Sequence, residues 1–189
     1  MSGDPAYDAA YQGARGAFSE EAARAMLGPS VLLLPCRTLA DVFDALVGGL
    51  VRMAVVPVTN SIVGPVPDSA QLMARHGVHI QQAHLQPIDQ TVIGLPGATL
   101  DTIRRVWSHP VALAQCTRWF ARHPHVEGRA TFDTAGAVEA VLVGGDCADA
   151  AIASRRAAEV YGGVVLDERV QDQVTNHTRF VLVSVSRRP

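Results

Sequence analysis

Lysine is absent from this 189-residue chain, and all 16 basic residues are arginines. Mechanisms that need an ε-amine are thereby excluded, among them Schiff-base catalysis, pyridoxal phosphate attachment and the Walker-type phosphate loop. Fixed positive charge in any site must come from Arg, a protonated His, the N-terminus or a helix N-terminus. Aromatic residues are also few, at 5%. The arginines are scattered among 18 acidic residues, for a net charge of −2, with no basic run beyond pairs such as Arg104-Arg105 and Arg155-Arg156. A nucleic-acid surface needs a basic stripe with interleaved aromatics, so no nucleic-acid partner is expected. No apolar run approaches the length of a membrane span, and Met1-Ser2-Gly3-Asp4 lacks the charged and apolar regions of a signal peptide. The expectation is no membrane partner and a cytoplasmic location. Three cysteines, Cys36, Cys116 and Cys147, form an odd set without metal-ligand spacing. They read as reduced, partly buried thiols.

What is present is a globular composition, 48% hydrophobic and 18% charged, in a chain long enough for one domain or two small subdomains. Ser30–Pro35 and Met53–Val58 read as buried strands, each ended by a proline. Between them Thr38 is placed to cap a helix over Leu39–Leu50, with Leu39, Val42, Phe43, Leu46 and Val47 on one face. Another helix is expected after Ser19, with Glu20 and Glu21 complementing its dipole. Thr91–Leu95, Val106-Trp107, Ala150–Ala153, Val164–Leu166 and Phe180–Val185 are strand candidates, and Val111–Arg122, Ala135–Val143 and Ser154–Tyr161 helix candidates. Strands alternating with helices predict an α/β fold with a mainly parallel sheet covered on both faces. Turn-rich Gln86–Gln90 is a natural place for two half-domains to meet.

Four segments put polar side chains where strand meets helix, the usual place for ligands in open α/β sheets. Tyr11–Ser19 contains a two-glycine turn before a helix. Pro57–Gly64 offers Asn60 and Ser61, either as caps for the next helix or as donors to a carboxylate. Trp107-Ser108-His109-Pro110 precedes a helix that carries Gln115, with Ser108 or His109 as its cap and Pro110 in its first turn. Asn176–Phe180 places Arg179 before the last strand, where it can grip a carboxylate bidentately or pair with an acid such as Asp172. Taken singly, capping or surface pairing accounts for each segment. Together they supply neutral donors and one Arg, which suits a small dicarboxylate. The seven histidines, including His76-Gly77-Val78-His79, His84 and His123-Pro124-His125, show no zinc spacing, and no metal is expected.

The same residues carry a family resemblance. Gly13–Ala22, Val55–Ser61, Ser108–Cys116, Ala151–Ser154 and Thr178-Arg179-Phe180, with Asp172 and Asn176 at the expected spacing, resemble the ordered segments of the prephenate dehydratase catalytic domain. The resemblance runs from Tyr11 to about Val183. It implies two α/β subdomains with a cleft between them, of the periplasmic-binding-protein-like type II, divided at about residues 1–87 plus 176–189 and 88–175. It implies a lyase that converts prephenate to phenylpyruvate with loss of water and carbon dioxide, without metal or cofactor. Thr178 is then the catalytic proton donor. Arg179, Asn60, Ser61, Ser108 and Gln115 bind substrate, and Phe180 packs to set the angle of Arg179. A homodimer or larger homo-oligomer is implied as well.

The chain departs from that family pattern at five positions. Thr59 and Val63 stand where the family carries Glu, Pro65 where it carries Ser, Ala17 where it carries a hydroxyl residue and His177 where it carries Thr. Alternatives within the same fold are therefore arogenate as substrate, a decarboxylation that does not aromatise, or a weakly catalytic binding homologue. Only Ser184–Pro189 follow the stretch that carries the resemblance. The expectation is that no ACT domain follows and that phenylalanine does not act through one.

Overall fold

Alanine sets the spacing at the centre of the first sheet. In chain order its unit contains β1 (Tyr7–Gln12), α1 (Phe18–Leu27), β2 (Leu33–Cys36), α2 (Leu39–Val47), β3 (Val51–Asn60), the short β4 (Gly64–Pro65), α3 (Pro67–His76), β5 (His79–Pro87) and the final strand β11 (His177–Ser184). Ala9, Ala10 and Ala54 are fully buried in β1 and β3, where their small side chains let helices approach the strands closely. The strand order is β2-β1-β3-β11-β5, with β4 beside the end of β3. β1 runs parallel to β2 and β3, whereas β11 is antiparallel to both its neighbours. Phe43, Leu46, Val42 and Leu39 of α2 pack with Val56, Val181 and Val183 in the core on one side of this sheet.

The computed structural model describes residues 5–185, which form two compact units. The first holds the described residues up to Gly13, Phe18–Pro87 and those from His177 onward, and the second holds Ala14–Ala17 and Ile88–Asn176. The second unit contains β6 (Thr91–Gly94), β7 (Arg105–Ser108), α4 (Pro110–Ala114), α5 (Thr117–Arg122), β8 (Glu127–Ala130), α6 (Ala135–Gly144), β9 (Asp149–Ala153), α7 (Arg155–Tyr161) and β10 (Val164–Glu168). Its strand order is β10-β6-β9-β7-β8, antiparallel across the first two junctions and parallel across the last two. Val92, Ile103, Val106, Ile152 and Trp119 form its core.

Both sheets are mixed, which corrects the expectation of a mainly parallel one. A helix–strand alternation does not reveal that β11 returns antiparallel between β3 and β5. Strand β3 also continues through Pro57 to Asn60. Its pairing with β1 ends at Val55, and Val58 is an extra residue opposite the Arg179–Phe180 step. At such a bulge the missing proline N–H is tolerated. Thr38 caps α2 in a full capping box with Asp41, and the helix stops at Gly48, short of Leu50. α1 begins at Phe18, so Ser19 lies inside its first turn and gives its hydroxyl proton to Gln12 O at 2.5 Å.

The expected helix Val111–Arg122 is two helices. Gln115 O accepts the Asp172 N–H at 2.6 Å. The Asp172 carboxylate accepts from Thr117 N, Thr117 Oγ1 and Arg118 N at 3.0, 2.6 and 2.8 Å. A remote carboxylate thus caps α5 and restarts the helix after Cys116. Elements β1, α3, β5 and β8 carry weak apolar signals. β8 is exposed throughout, and Ser69 is the one fully buried residue of α3.

Candidate active site

Strands β3 and β11 end side by side, and their last residues cross-link them. Asn60 and Thr178 are register partners. The Asn60 amide nitrogen donates to Thr178 Oγ1 at 2.9 Å and to His177 O at 3.2 Å. Its Oδ1 accepts the Ile62 and Val63 N–H groups at 2.9 and 3.0 Å, the turn that Asn side chains stabilise. Ser61 clasps the same neighbour: its N–H donates to His177 O at 2.9 Å, and its Oγ accepts the His177 N–H at 3.0 Å. Neither residue caps a helix, which corrects that expectation. The next helix, α3, starts only at Pro67 behind Val66, which makes no side-chain cap.

Thr178 is 9% exposed, and its oxygen accepts from Asn60, so the hydroxyl retains a proton to give. Arg179 follows on the other face, because successive strand residues alternate; it is exposed between buried Thr178 and Phe180. The Arg179 guanidinium has no hydrogen-bond or ion-pair partner among the described residues. The acid weighed as its partner, Asp172, is instead committed to the start of α5. Burial pushes the Asp172 pKa up, but hydrogen bonds from Thr117 and Arg118 outweigh it and hold the group below its ordinary value of 3.8.

In the second unit the glycine turn packs tightly. Gly16 has φ +83°, and a Cβ there would lie 2.6 Å from Ala157 Cα. Ser154 caps α7 and donates its hydroxyl to Gly16 O at 2.5 Å. At the end of β7, Ser108 is fully buried and donates to Ile152 O at 2.6 Å. Its proton is spent on bracing β7 against β9, so Ser108 is not set up as a substrate donor. His109 caps α4 through Nδ1, with Pro110 in the first turn. Gln115 ends α4, where its Oε1 accepts from Asn176 Nδ2 at 3.0 Å. That contact fixes the amide orientation and leaves Gln115 Nε2 as a donor without a partner among the described residues.

Two cysteines and three histidines hold structural places. Burial pushes the Cys116 thiol up to about 12 and, together with nearby Asp41, the Cys36 thiol up to about 11. Such thiols are inert at neutral pH. His76 stacks on Phe43, His123 stacks on Trp119, and His125 Nε2 lies 3.0 Å from Leu100 O. Among the described residues no three His, Cys, Asp or Glu side chains are grouped to hold a metal ion, and no helix is long and apolar enough to cross a membrane. The sequence assigns Glu21 to a helix dipole and Gln86 to a turn, and does not pair them; the Gln86 amide nitrogen donates to Glu21 Oε2 at 2.8 Å. No apolar alternation marks β5, and nothing local links it to α1.

Residues 9–188 match the family model described as prephenate dehydratase. A Komagataeibacter europaeus protein named as a bifunctional N-acyl-homoserine lactone acylase/prephenate dehydratase is 39% identical over 180 residues, covering 95% of this chain and 63% of that protein. The chloroplastic arogenate dehydratase 3 of Arabidopsis thaliana is 39% identical over 176 residues, covering 93% of this chain and 41% of that protein. The chain therefore spans less than two thirds of the length of these relatives. The prephenate dehydratase of Arthrobacter aurescens, solved with L-Phe, superposes with a TM-score of 0.86 at 28% identity, over 94% of this chain and 60% of that one. A ligand-binding component of an ABC-type importer from Staphylococcus aureus shares the periplasmic-binding-protein-like fold at a TM-score of 0.50 and 10% identity, over 94% of this chain and 65% of that one. The clasp of Asn60 and Ser61 on His177-Thr178 lies within the matched residues, and the match spans nearly the whole chain: the protein belongs to the prephenate dehydratase family.

Proposed function

We propose that the protein is a lyase that removes water and carbon dioxide together from prephenate, giving phenylpyruvate. The observation that carries this reading is the Asn60–Thr178 hydrogen bond at 2.9 Å. A threonine hydroxyl is a weak acid. Donation from the Asn60 amide to Thr178 Oγ1 stabilises charge as it develops on that oxygen, which is where a general acid needs help.

In the proposed step the bond from the ring to its carboxylate carbon breaks. Its electron pair enters the ring as a new double bond, carbon dioxide leaves, and the opposite carbon–oxygen bond breaks. The departing hydroxide takes the Thr178 proton and leaves as water, and Thr178 recovers a proton from solvent. Aromatisation drives the reaction, and atoms and charge balance without a cofactor.

The substrate's hydroxyl and its ring carboxylate are at opposite ends of the ring. A proton donor and an anion grip must therefore act at separate places, and Thr178 and Arg179 leave opposite faces of β11. Arg179 is assigned to the side-chain carboxylate. A tight grip on the ring carboxylate would favour the ground state, whose charge is lost as carbon dioxide forms. Gln115 Nε2 is assigned as a neutral donor to a carboxylate. Ser61 and Phe180 act through the backbone and packing around Thr178, and Ser108 braces.

Arogenate, named for the Arabidopsis relative, differs from prephenate by an amine in place of the keto group and meets the same Thr178 chemistry. Retention of Thr178 disfavours a decarboxylation that leaves the hydroxyl in place, since that route needs no acid there. An acylase reaction would need an activated nucleophile, and the buried Ser108, Ser69 and Ser154 give their protons to backbone carbonyls. The deciding experiment is incubation with prephenate, and separately with arogenate, at neutral pH with identification of the product. Phenylpyruvate from prephenate supports the proposal. Phenylalanine formed only from arogenate moves the substrate, and binding without product makes the chain a binding homologue. The homo-oligomer implied by the resemblance is tested by light scattering on the same preparation.

A further inference from the structure

The register that sets Asn60 on one side of Thr178 sets Gln86 on the other. β11 lies between β3 and β5, so Asn60, Thr178 and Gln86 form a row across three strands. Directly opposed residues of such a row have Cβ atoms about 4.5–5.5 Å apart. Gln86 is 8% exposed, whereas most of β5 is exposed. A buried polar side chain on an exposed edge strand needs partners, and among the described residues Gln86 has three. Its amide nitrogen donates to Glu21 Oε2 at 2.8 Å and to Pro87 O at 3.2 Å, and its Oε1 lies 3.2 Å from His84 Nε2. An ionised carboxylate only accepts, so Glu21 fixes which end of the amide is nitrogen. Oε1 then faces His84, whose Nε2 must carry the hydrogen.

We infer that Gln86 is a positioning residue for Thr178. β-branching restricts the χ1 of a strand threonine, and its neighbours decide which of them the hydroxyl faces and which the methyl. Both Gln86 amide hydrogens are engaged, on Glu21 and Pro87, so Gln86 has no donor to offer Thr178 Oγ1. The pinned side chain is a wall on the β5 side, and among the described residues the donor to Oγ1 is Asn60 on the β3 side. The hydroxyl is thereby held toward Asn60 and the methyl toward Gln86. The consequence for turnover rests on the dehydration reading, whereas the consequence for the Thr178 rotamer does not.

The test labels threonine methyl groups and measures the three-bond couplings of the Thr178 methyl carbon to the backbone, which report the rotamer. Turnover of prephenate is followed in the same variants. The wild type is expected to show one rotamer. Gln86→Leu, of similar size but without the amide, is expected to average the couplings and lower kcat about tenfold while KM stays within about twofold. Glu21→Gln keeps an acceptor for the amide and should retain both the single rotamer and kcat. Glu21→Leu should behave as Gln86→Leu, and it decides the matter if Gln86→Leu does not fold. A single rotamer in folded Gln86→Leu overturns the inference, as does equal loss in Glu21→Gln and Glu21→Leu. If the wild type does not turn over prephenate, the dehydration reading fails and the couplings alone decide the positioning.

Discussion

The two units end their central strands in polar residues, yet they use them differently. Where β3 and β11 end, Asn60 and Ser61 satisfy the backbone of His177 while leaving the Thr178 proton uncommitted. Where β7 and β9 end, Ser108 gives its proton to Ile152 O and is sealed from solvent. In the second unit Gln115 Nε2, on an amide oriented by Asn176, is a donor without a partner among the described residues. In the proposed function one end gives a proton and the other holds an anion with a neutral group. A hydroxyl in a family segment is therefore not a site residue by type alone; what decides is where its hydrogen goes.

Breaking the reactive end should have the largest effect. Thr178→Val, which keeps shape but removes the hydroxyl, is expected to lower kcat by about 10²–10⁴-fold with binding changed little, the range of a lost general acid. Initial rates and equilibrium dialysis with prephenate check this, and an unchanged rate removes Thr178 from its role. Asn60→Ala should cost about 10–100-fold in kcat, since it removes one donor to a developing oxyanion. Gln115→Glu tests the anion-holding end. Placing a carboxylate where a donor stood should raise KM about tenfold with kcat nearly constant, and a KM unchanged in steady-state kinetics would reassign that residue.

Ser108→Ala sharpens the contrast from the other direction. It leaves the buried Ile152 carbonyl without its donor and should destabilise folding by about 1–3 kcal/mol while KM stays within twofold. Denaturant unfolding set beside steady-state kinetics reads both, and a raised KM at full stability would return Ser108 to the substrate. The smallest effect concerns pH. The Asp149 pKa is depressed chiefly by the hydrogen bond from Arg105, and the Asp172 pKa by Thr117 and Arg118 against burial, both from 3.8. Groups with lowered folded pKa values stabilise above the unfolded value, and that stability fades as pH falls through the folded values. Unfolding midpoints should therefore drop below about pH 4, and less steeply in Asp172→Asn. Equal slopes in the variant would show that Asp172 contributes nothing.

Parts of the fold were legible because their causes are local. The Thr38 capping box, His109-Pro110 at the start of α4 and Ser154 before α7 each depend on residues within a few positions. The interrupted α4–α5 segment was not legible, because the carboxylate that restarts the helix is 55 positions from Thr117. Edge strands β5 and β8 escaped notice because an exposed strand needs no apolar alternation, and the strand through Pro57 because a bulge excuses the proline.

The sequence alone determined the chemical inventory: no lysine ε-amine, arginine as the sole permanently charged cationic side chain, and a threonine, an asparagine and a glutamine in recognisable segments. Composition and short-range capping settle such matters without reference to distant residues. Tertiary structure alone decided which of these groups remain able to act. Asn60 and Thr178 are 118 positions apart and meet only because β11 returns antiparallel beside β3. Ser108 loses its proton to a strand that follows it by 44 positions. A hydrogen bond is a short-range, directional interaction, so the availability of each donor is fixed by whichever remote backbone the fold brings within about 3 Å of it.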